Sequence, residues 1–173
     1  MPATYSPIAT STASGSTSTV TFSSIPSTYT DLIVIVQYQG TANSGVWLQY
    51  NNDTGTNYSI TNLIGSFGGA TVSYTNPNQP YVWADTYYTG TGTVLTDRAI
   101  AKAHIMNYSN TTTFKSTLCR SDDVRTTAAD AGTVYLGVSL WRNTSAITRV
   151  DVLSSGGNFV AGSTITIYGI KAA

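Results

Sequence analysis

The sequence predicts an all-β fold, a jelly-roll-like antiparallel β-sandwich preceded by an extended N-terminal arm. Three observations carry that reading. Every acidic residue is Asp, and only three lysines occur among 173 residues, whereas helix surfaces are normally filled with Glu, Lys, Gln and Ala. Thr and Ser dominate, followed by Tyr, Val and Ile, which is the chemistry of strands and turns. No long segment shows a 3.6-residue apolar period, while short runs alternating polar and apolar recur along the chain with turn residues between them.

Residues 1–18 read as the arm. Ser, Thr, Ala and Pro fill it, no two-residue period holds, and Pro2 and Pro7 favour an extended path. Tyr5, Pro7 and Ile8 give it apolar handles for self-association or contact with a lattice of neighbours. Residues 19–173 read as the sandwich. Thr19 to Ser23 alternates as a half-buried strand. Asp31 to Tyr38 is apolar on both faces at its centre, which places it inside a sheet. Val46 to Tyr50 puts Val46, Leu48 and Tyr50 on one face, Trp47 and Gln49 on the other.

Asn51 to Gly55 is a turn. In the strand that follows, the period slips after Ile60, which calls for a bulge or a short helical turn. Gly65 to Tyr74 is a glycine-marked excursion. Asn76 to Pro80 reads as a loop, because its two prolines remove two backbone donors. Tyr81 to Tyr88 is aromatic and strand-like. Ala99 to Tyr108 places Ile100 and His104 on one face, and Ala99, Ala101, Ala103 and Ile105 on the other. Phe114 to Arg120, Val134 to Trp141, Ile147 to Leu153 and Ser163 to Ile170 complete a set of about ten strands, and Ser121 to Gly132 reads as a loop. Two four-stranded sheets plus one or two edge additions would accommodate the set.

Charge narrows the function. Eight basic residues balance eight acidic ones, and charged residues make up only 9% of the chain. That balance argues against a nucleic-acid partner bound through a row of phosphates and against a polybasic membrane-surface segment. The longest apolar run, Leu32 to Val36, is too short to span a membrane. The first residues carry neither a positive stretch nor an apolar stretch of signal-peptide type, so a cytoplasmic site of synthesis is expected.

The catalytic inventory is thin. His104 is the single histidine and Cys119 the single cysteine, and both read as packed strand residues. No G-x-S-x-G elbow occurs. Asp122 and Asp123 are adjacent, so a strand would point them to opposite faces. The Asn51–Asp53 and Asp122–Asp130 groups lack the spacing of a calcium loop and read as Asx turns. No cofactor, metal site or enzymatic activity is expected. Aromatic residues are the remaining ligand chemistry. Trp47, Trp83, Tyr87 and Tyr88 are candidate glycan contacts, although such side chains also anchor cores and interfaces.

Three segments carry a resemblance: Phe22 to Leu32 (FSSIPSTYTDL), Asn51 to Ser59 (NNDTGTNYS) and Asn158 to Ile170 (NFVAGSTITIYGI). In this order and spacing the chain resembles small virion proteins of bacteriophages, in particular those infecting cyanobacteria and marine bacteria. The resemblance implies a jelly-roll sandwich displayed on a virion, in which such proteins gather around local three-fold axes as homotrimers. It implies no catalytic residues. The expected function is a capsid decoration (cement) protein that binds the major capsid protein, or another virion protein, and stabilises the lattice. A tail-fibre or receptor-binding protein recognising a host glycan is the alternative.

Overall fold

The computed structural model describes residues 4–15, 17–41, 45–66, 71–85, 98–123 and 132–171. The described residues form twelve strands: β1 (Tyr5–Thr12), β2 (Thr19–Phe22), β3 (Asp31–Tyr38), β4 (Val46–Tyr50), β5 (Tyr58–Ser66), β6 (Val72–Gln79), β7 (Val82–Trp83), β8 (Ala99–Met106), β9 (Lys115–Asp123), β10 (Thr133–Trp141), β11 (Val150–Ser154) and β12 (Thr164–Ile170). No helix occurs among the described residues. The strands make two antiparallel sheets packed as a sandwich. Their division is unequal. Eight strands run in the order β1-β12-β3-β8-β9-β10-β5-β6, and four run β2-β11-β4-β7.

Period-2 alternation decides which side chains meet between the sheets. From the larger sheet come Leu32, Val34, Val36 and Tyr38 of β3, Ala99, Ala101, Ala103 and Ile105 of β8, and Ile165 and Ile167 of β12. The smaller sheet answers with Val20 and Phe22, Val46, Leu48 and Tyr50, and Val150 and Val152. The small residues of β8 leave room for the large ones opposite, so the layers can approach closely. The faces expected for β4 and β8 are those observed, and β3 lies inside its sheet between β12 and β8.

Two expected irregular segments are strands, and Ser121 to Asp123, expected to open a loop, extend β9 instead. Residues 5–12, expected as an arm, form β1, hydrogen-bonded antiparallel to the chain's own last strand, with Tyr5 opposite Ile170 and Thr12 opposite Thr164. Extension was legible there, but the partner was not. Beyond β1, Ala13 is buried and exchanges backbone hydrogen bonds with Ser163 and Gly162, so this segment is continuous with the sandwich rather than separate from it. The second case is β6, which runs through Pro77 to Gln79 where a loop was expected. Its place in the sheet explains this: β6 is an edge strand, and one side of an edge strand has no partner to receive the missing N–H. An irregularity in the β5–β6 pairing lies between Tyr58 and Ile60, just before rather than after the position the sequence marks.

At one end of the sandwich, Asn51 ties the β4 exit to the segment entering β11. It stands at φ 52°, a conformation Asn tolerates better than most residues. Its side-chain oxygen accepts from the Thr148 and Arg149 amides at 2.9 and 3.1 Å, and its amide donates to the Ala146 carbonyl at 2.8 Å.

The interior also holds polar groups. Asp85 is buried and accepts hydrogen bonds from the Tyr38 hydroxyl and from Ser121. The Tyr50 hydroxyl and Thr117 share a hydrogen bond at 2.7 Å. Lys115 is fully enclosed, and its ammonium donates to the Thr113 and Thr144 carbonyls at 2.7 and 3.0 Å. These bonds offset the desolvation of groups that would otherwise oppose folding.

Candidate interaction faces

Each sheet has an outer face, and the two differ in chemistry. On the smaller sheet, β4 and β7 pair so that Trp47 lies opposite Trp83. Directly opposed residues of an antiparallel pair share a face. The Tyr81 ring stacks on Trp47 with centroids 3.8 Å apart and planes 7° from parallel. All three rings are half-buried, and the Trp83 indole nitrogen is enclosed without a hydrogen-bond partner. Beside the aromatics on β4 is Gln49, in register with Asp151 on β11, which is in register with Thr21 on β2. The Arg149 guanidinium forks onto the Asp151 carboxylate at 2.8 Å through both Nε and Nη2. The pair of tryptophans expected as a candidate site is therefore brought together. Tyr87 and Tyr88 lie outside the described residues.

The expected lattice handles on β1 separate. Tyr5 is 49% exposed, with its ring edge-on to Tyr168 at 6.4 Å and the Lys102 ammonium 6.0 Å from its centroid. Pro7 is exposed and opposite Tyr168. Ile8 is turned to the core and packs against it. As an edge strand with a proline, β1 has one fewer donor to offer an added strand.

The outer face of the larger sheet was not anticipated. Three levels of side chains cross it. One level is Ile100, Asp122, Val134 and Gly65, in register across β8, β9, β10 and β5. The next is Lys102, Arg120, Leu136 and Leu63. The third is His104, Leu118, Val138 and Thr61. Six aliphatic residues of this face, Leu63, Ile100, Leu118, Val134, Leu136 and Val138, are each 40 to 62% exposed. Those of β5, β9 and β10 stand beside one another, with Ile100 on β8 across Asp122, and exposed aliphatic side chains grouped in this way mark interaction surfaces. Lys102, Arg120 and Asp122 line a shallow depression of about 570 Å³ beside Ile35, Ile100 and Val134.

The sequence does hold a signal for this face. Val134, Leu136, Val138 and Leu140 alternate with Tyr135, Gly137, Ser139 and Trp141, so both sides of β10 carry apolar groups.

His104 and Cys119 of the larger sheet both sit against neighbours. His104 Nε2 is 2.9 Å from Asp31, whose other oxygen accepts from the Asn107 amide at 2.7 Å. Cys119 faces the interior, where burial and the nearby Asp85 charge push its thiol pKa well above the ordinary value. Among the described residues no three His, Cys, Asp or Glu side chains are grouped to hold a metal ion, and no helix is long and apolar enough to cross a membrane. No protein-family model matches the chain, and no curated protein matches it significantly.

Proposed function

We propose that this protein is a non-enzymatic structural protein of a bacteriophage virion, a decoration protein that binds the capsid lattice and stabilises it. The observation that carries the reading is the outer face of the eight-stranded sheet. Aliphatic side chains from β5, β8, β9 and β10 stand half-exposed on a chain with only 9% charged residues. Such a surface resists non-specific association poorly when free, and a repeating assembly covers it. The resemblance of Phe22 to Leu32, Asn51 to Ser59 and Asn158 to Ile170 to phage virion proteins supports a virion as that assembly. The partners are then other copies of this chain and the major capsid protein. Binding that favours the assembled lattice stabilises it by mass action.

Deletion of the gene is expected to give particles that form but burst at lower temperature or lower internal pressure, and labelling of intact particles should place the protein on the head. Deletion particles of normal stability that fail to attach to the host would move the protein to the tail.

A second reading has its own observation, the aromatic face of the smaller sheet. Trp47 stacked on Tyr81, with Trp83 opposite and Gln49 alongside, is a surface on which a sugar ring can stack while its hydroxyls find a polar partner. Under this reading the protein is a receptor-binding virion component. Trp47→Ala should then abolish binding to host surface polysaccharide while the circular dichroism spectrum is retained. Equal polysaccharide binding by the wild type and the variant removes the reading.

A further inference from the structure

The outer face of the eight-stranded sheet is self-complementary, and we infer that it is covered by a second copy of this chain across a two-fold axis. The inference rests on the assembly reading above and names the partner of its apolar face.

The argument begins with register. Asp122 and Arg120 are exposed, two residues apart on β9, and flanked on β10 by Val134 and Leu136 respectively. On β5 the same two levels end in Gly65 and Leu63. Consider a two-fold axis lying in the plane of the interface, perpendicular to the strands and midway between these levels. It reverses strand direction and leaves lateral position unchanged. Each β9 then lies antiparallel over its copy, with Arg120 over the second copy's Asp122 and Asp122 over its Arg120. Leu136 meets Val134. Leu63, 48% exposed, comes over Gly65, where the flanking Val134 side chain reaches across and offers it an apolar contact. One placement thus gives two reciprocal ion pairs on β9 and an apolar centre on β10 and β5, and on β8 it lays Ile100 along the aliphatic stem of the second copy's Lys102.

Isologous contact demands this property, since every residue must suit the residue that symmetry brings to it. Moving the axis by one level sets Arg120 over Leu118 and removes both ion pairs. The separation also fits, because sheets pack about 10 Å apart, a gap that an Arg and an Asp side chain span together.

Area is sufficient. From β12 to β6 the face is seven strands wide. At about 4.8 Å per strand, and about 3.4 Å per residue along seven residues, it offers on the order of 800 Å², the amount each partner contributes to a standard stable interface. The sheet's net charge is no obstacle, because Lys102 and Arg120 are met by Asp122 and Asp31 on the same face.

The test is a charge exchange read by sedimentation equilibrium of the full-length chain. The wild type should sediment at twice the 18.3 kDa of one chain. Asp122→Arg places Arg over Arg at both symmetry-related contacts, and Arg120→Asp places Asp over Asp. Each should weaken dimerisation by roughly 100-fold or more. The double exchange, Arg120→Asp with Asp122→Arg, restores opposite charges at both contacts and should recover dimerisation to within about tenfold of wild type. Both positions are exposed, so the fold, checked by circular dichroism, should persist. A monomer, a trimer, or a double exchange no better than the singles overturns the inference. A monomer that still occupies particles does so while leaving the virion reading intact. A charge-sensitive dimer that never occupies particles supports the inference and removes the virion reading.

Discussion

Replacing Trp141 by Ala should cost about 4–5 kcal/mol, a large part of the roughly 5–15 kcal/mol that holds a domain folded. Trp141 closes β10 and is 1% exposed. Its ring lies 18° from parallel to Tyr58 at 6.3 Å and meets Tyr50 edge-on at 5.6 Å. Those two tyrosines come from different sheets, so the indole joins the layers. Its removal leaves a cavity walled by rings that are themselves fixed. The Tyr50 amide donates to the Tyr58 hydroxyl at 3.0 Å, and the Tyr50 hydroxyl pairs with Thr117. Such a site collapses poorly, which puts the loss at the upper end for a large-to-small change.

A second contribution comes from the indole N–H, which donates to Asp53 at 2.6 Å. Burial works to raise the Asp53 pKa. Hydrogen bonds from Trp141, from the Asn57 amide and from the Gly55 backbone outweigh it and hold the carboxyl below its ordinary range. Trp141→Phe separates the two contributions. It keeps most of the ring, loses the donor, and should cost only about 1–3 kcal/mol while the Asp53 pKa rises toward the usual carboxylate value. Urea denaturation gives the energies, and carboxyl NMR titration gives the pKa. A Trp141→Ala loss below about 2 kcal/mol would mean that the ring cluster is not what joins the sheets at this end.

Alternation in the sequence was a reliable guide where the interior is aliphatic. On β8 the alanines and Ile105 face inward as their spacing dictates, and on β4 Val46, Leu48 and Tyr50 do the same. On β10 the pattern misleads. Val134, Leu136 and Val138 are the more hydrophobic set, yet they are outside, while Tyr135, Gly137, Ser139 and Trp141 face in. The reason is a long-range contact. The Tyr135 phenol crosses the space above Gly137 to donate to the Trp83 carbonyl of β7 at 3.0 Å. A Cβ at Gly137 would lie 2.2 Å from that phenol oxygen. Glycine is required there by a tyrosine two residues away that reaches a strand in the other sheet, and nothing local announces it. The exposed aliphatic residues of β10 follow from this inversion, and apolar groups on both sides of that strand were the one local signal of the candidate interface. The same limit applies to β1 and to Pro77. For β1 the partner is the last strand of the chain, and for β6 it is the strand just before it, which leaves the outer side of β6 free to hold the proline. The Trp47–Trp83 pairing was legible only as two tryptophans, because their opposition depends on register.

Alkaline pH should unfold this protein steeply between about pH 10 and 12. Burial pushes the pKa of Tyr50, Tyr58 and Tyr135 well above the ordinary tyrosine value, with neighbouring Cys119 or acidic groups adding to it. Burial and the Asp85 charge do the same to the Cys119 thiol. A group whose folded pKa is raised contributes stability that is fully present below its unfolded pKa and is lost as pH rises toward and through the folded one. The unfolded pKa is about 10 for tyrosine and about 8.5 for cysteine. Above those values the unfolded chain gains stability by ionising while the folded chain does not. Each such group then removes about 1.4 kcal/mol per pH unit. The four acting together remove roughly 5 kcal/mol per unit above pH 10, enough to exhaust the stability of an ordinary domain within one to three units. Lys115, whose pKa burial lowers, works in the opposite direction only up to its unfolded value of about 10.4 and adds nothing beyond it. Far-UV circular dichroism and phenolate absorbance, followed together, provide the measurement. The buried tyrosines should ionise in a single step that coincides with loss of the β signal. Below that step the thiol should resist alkylation, since both its ionisation and its access require opening of the sandwich. If all twelve tyrosines titrate reversibly near pH 10 while the sheet signal persists, the phenols are not enclosed between the sheets and the interior described for β4, β5 and β10 is wrong.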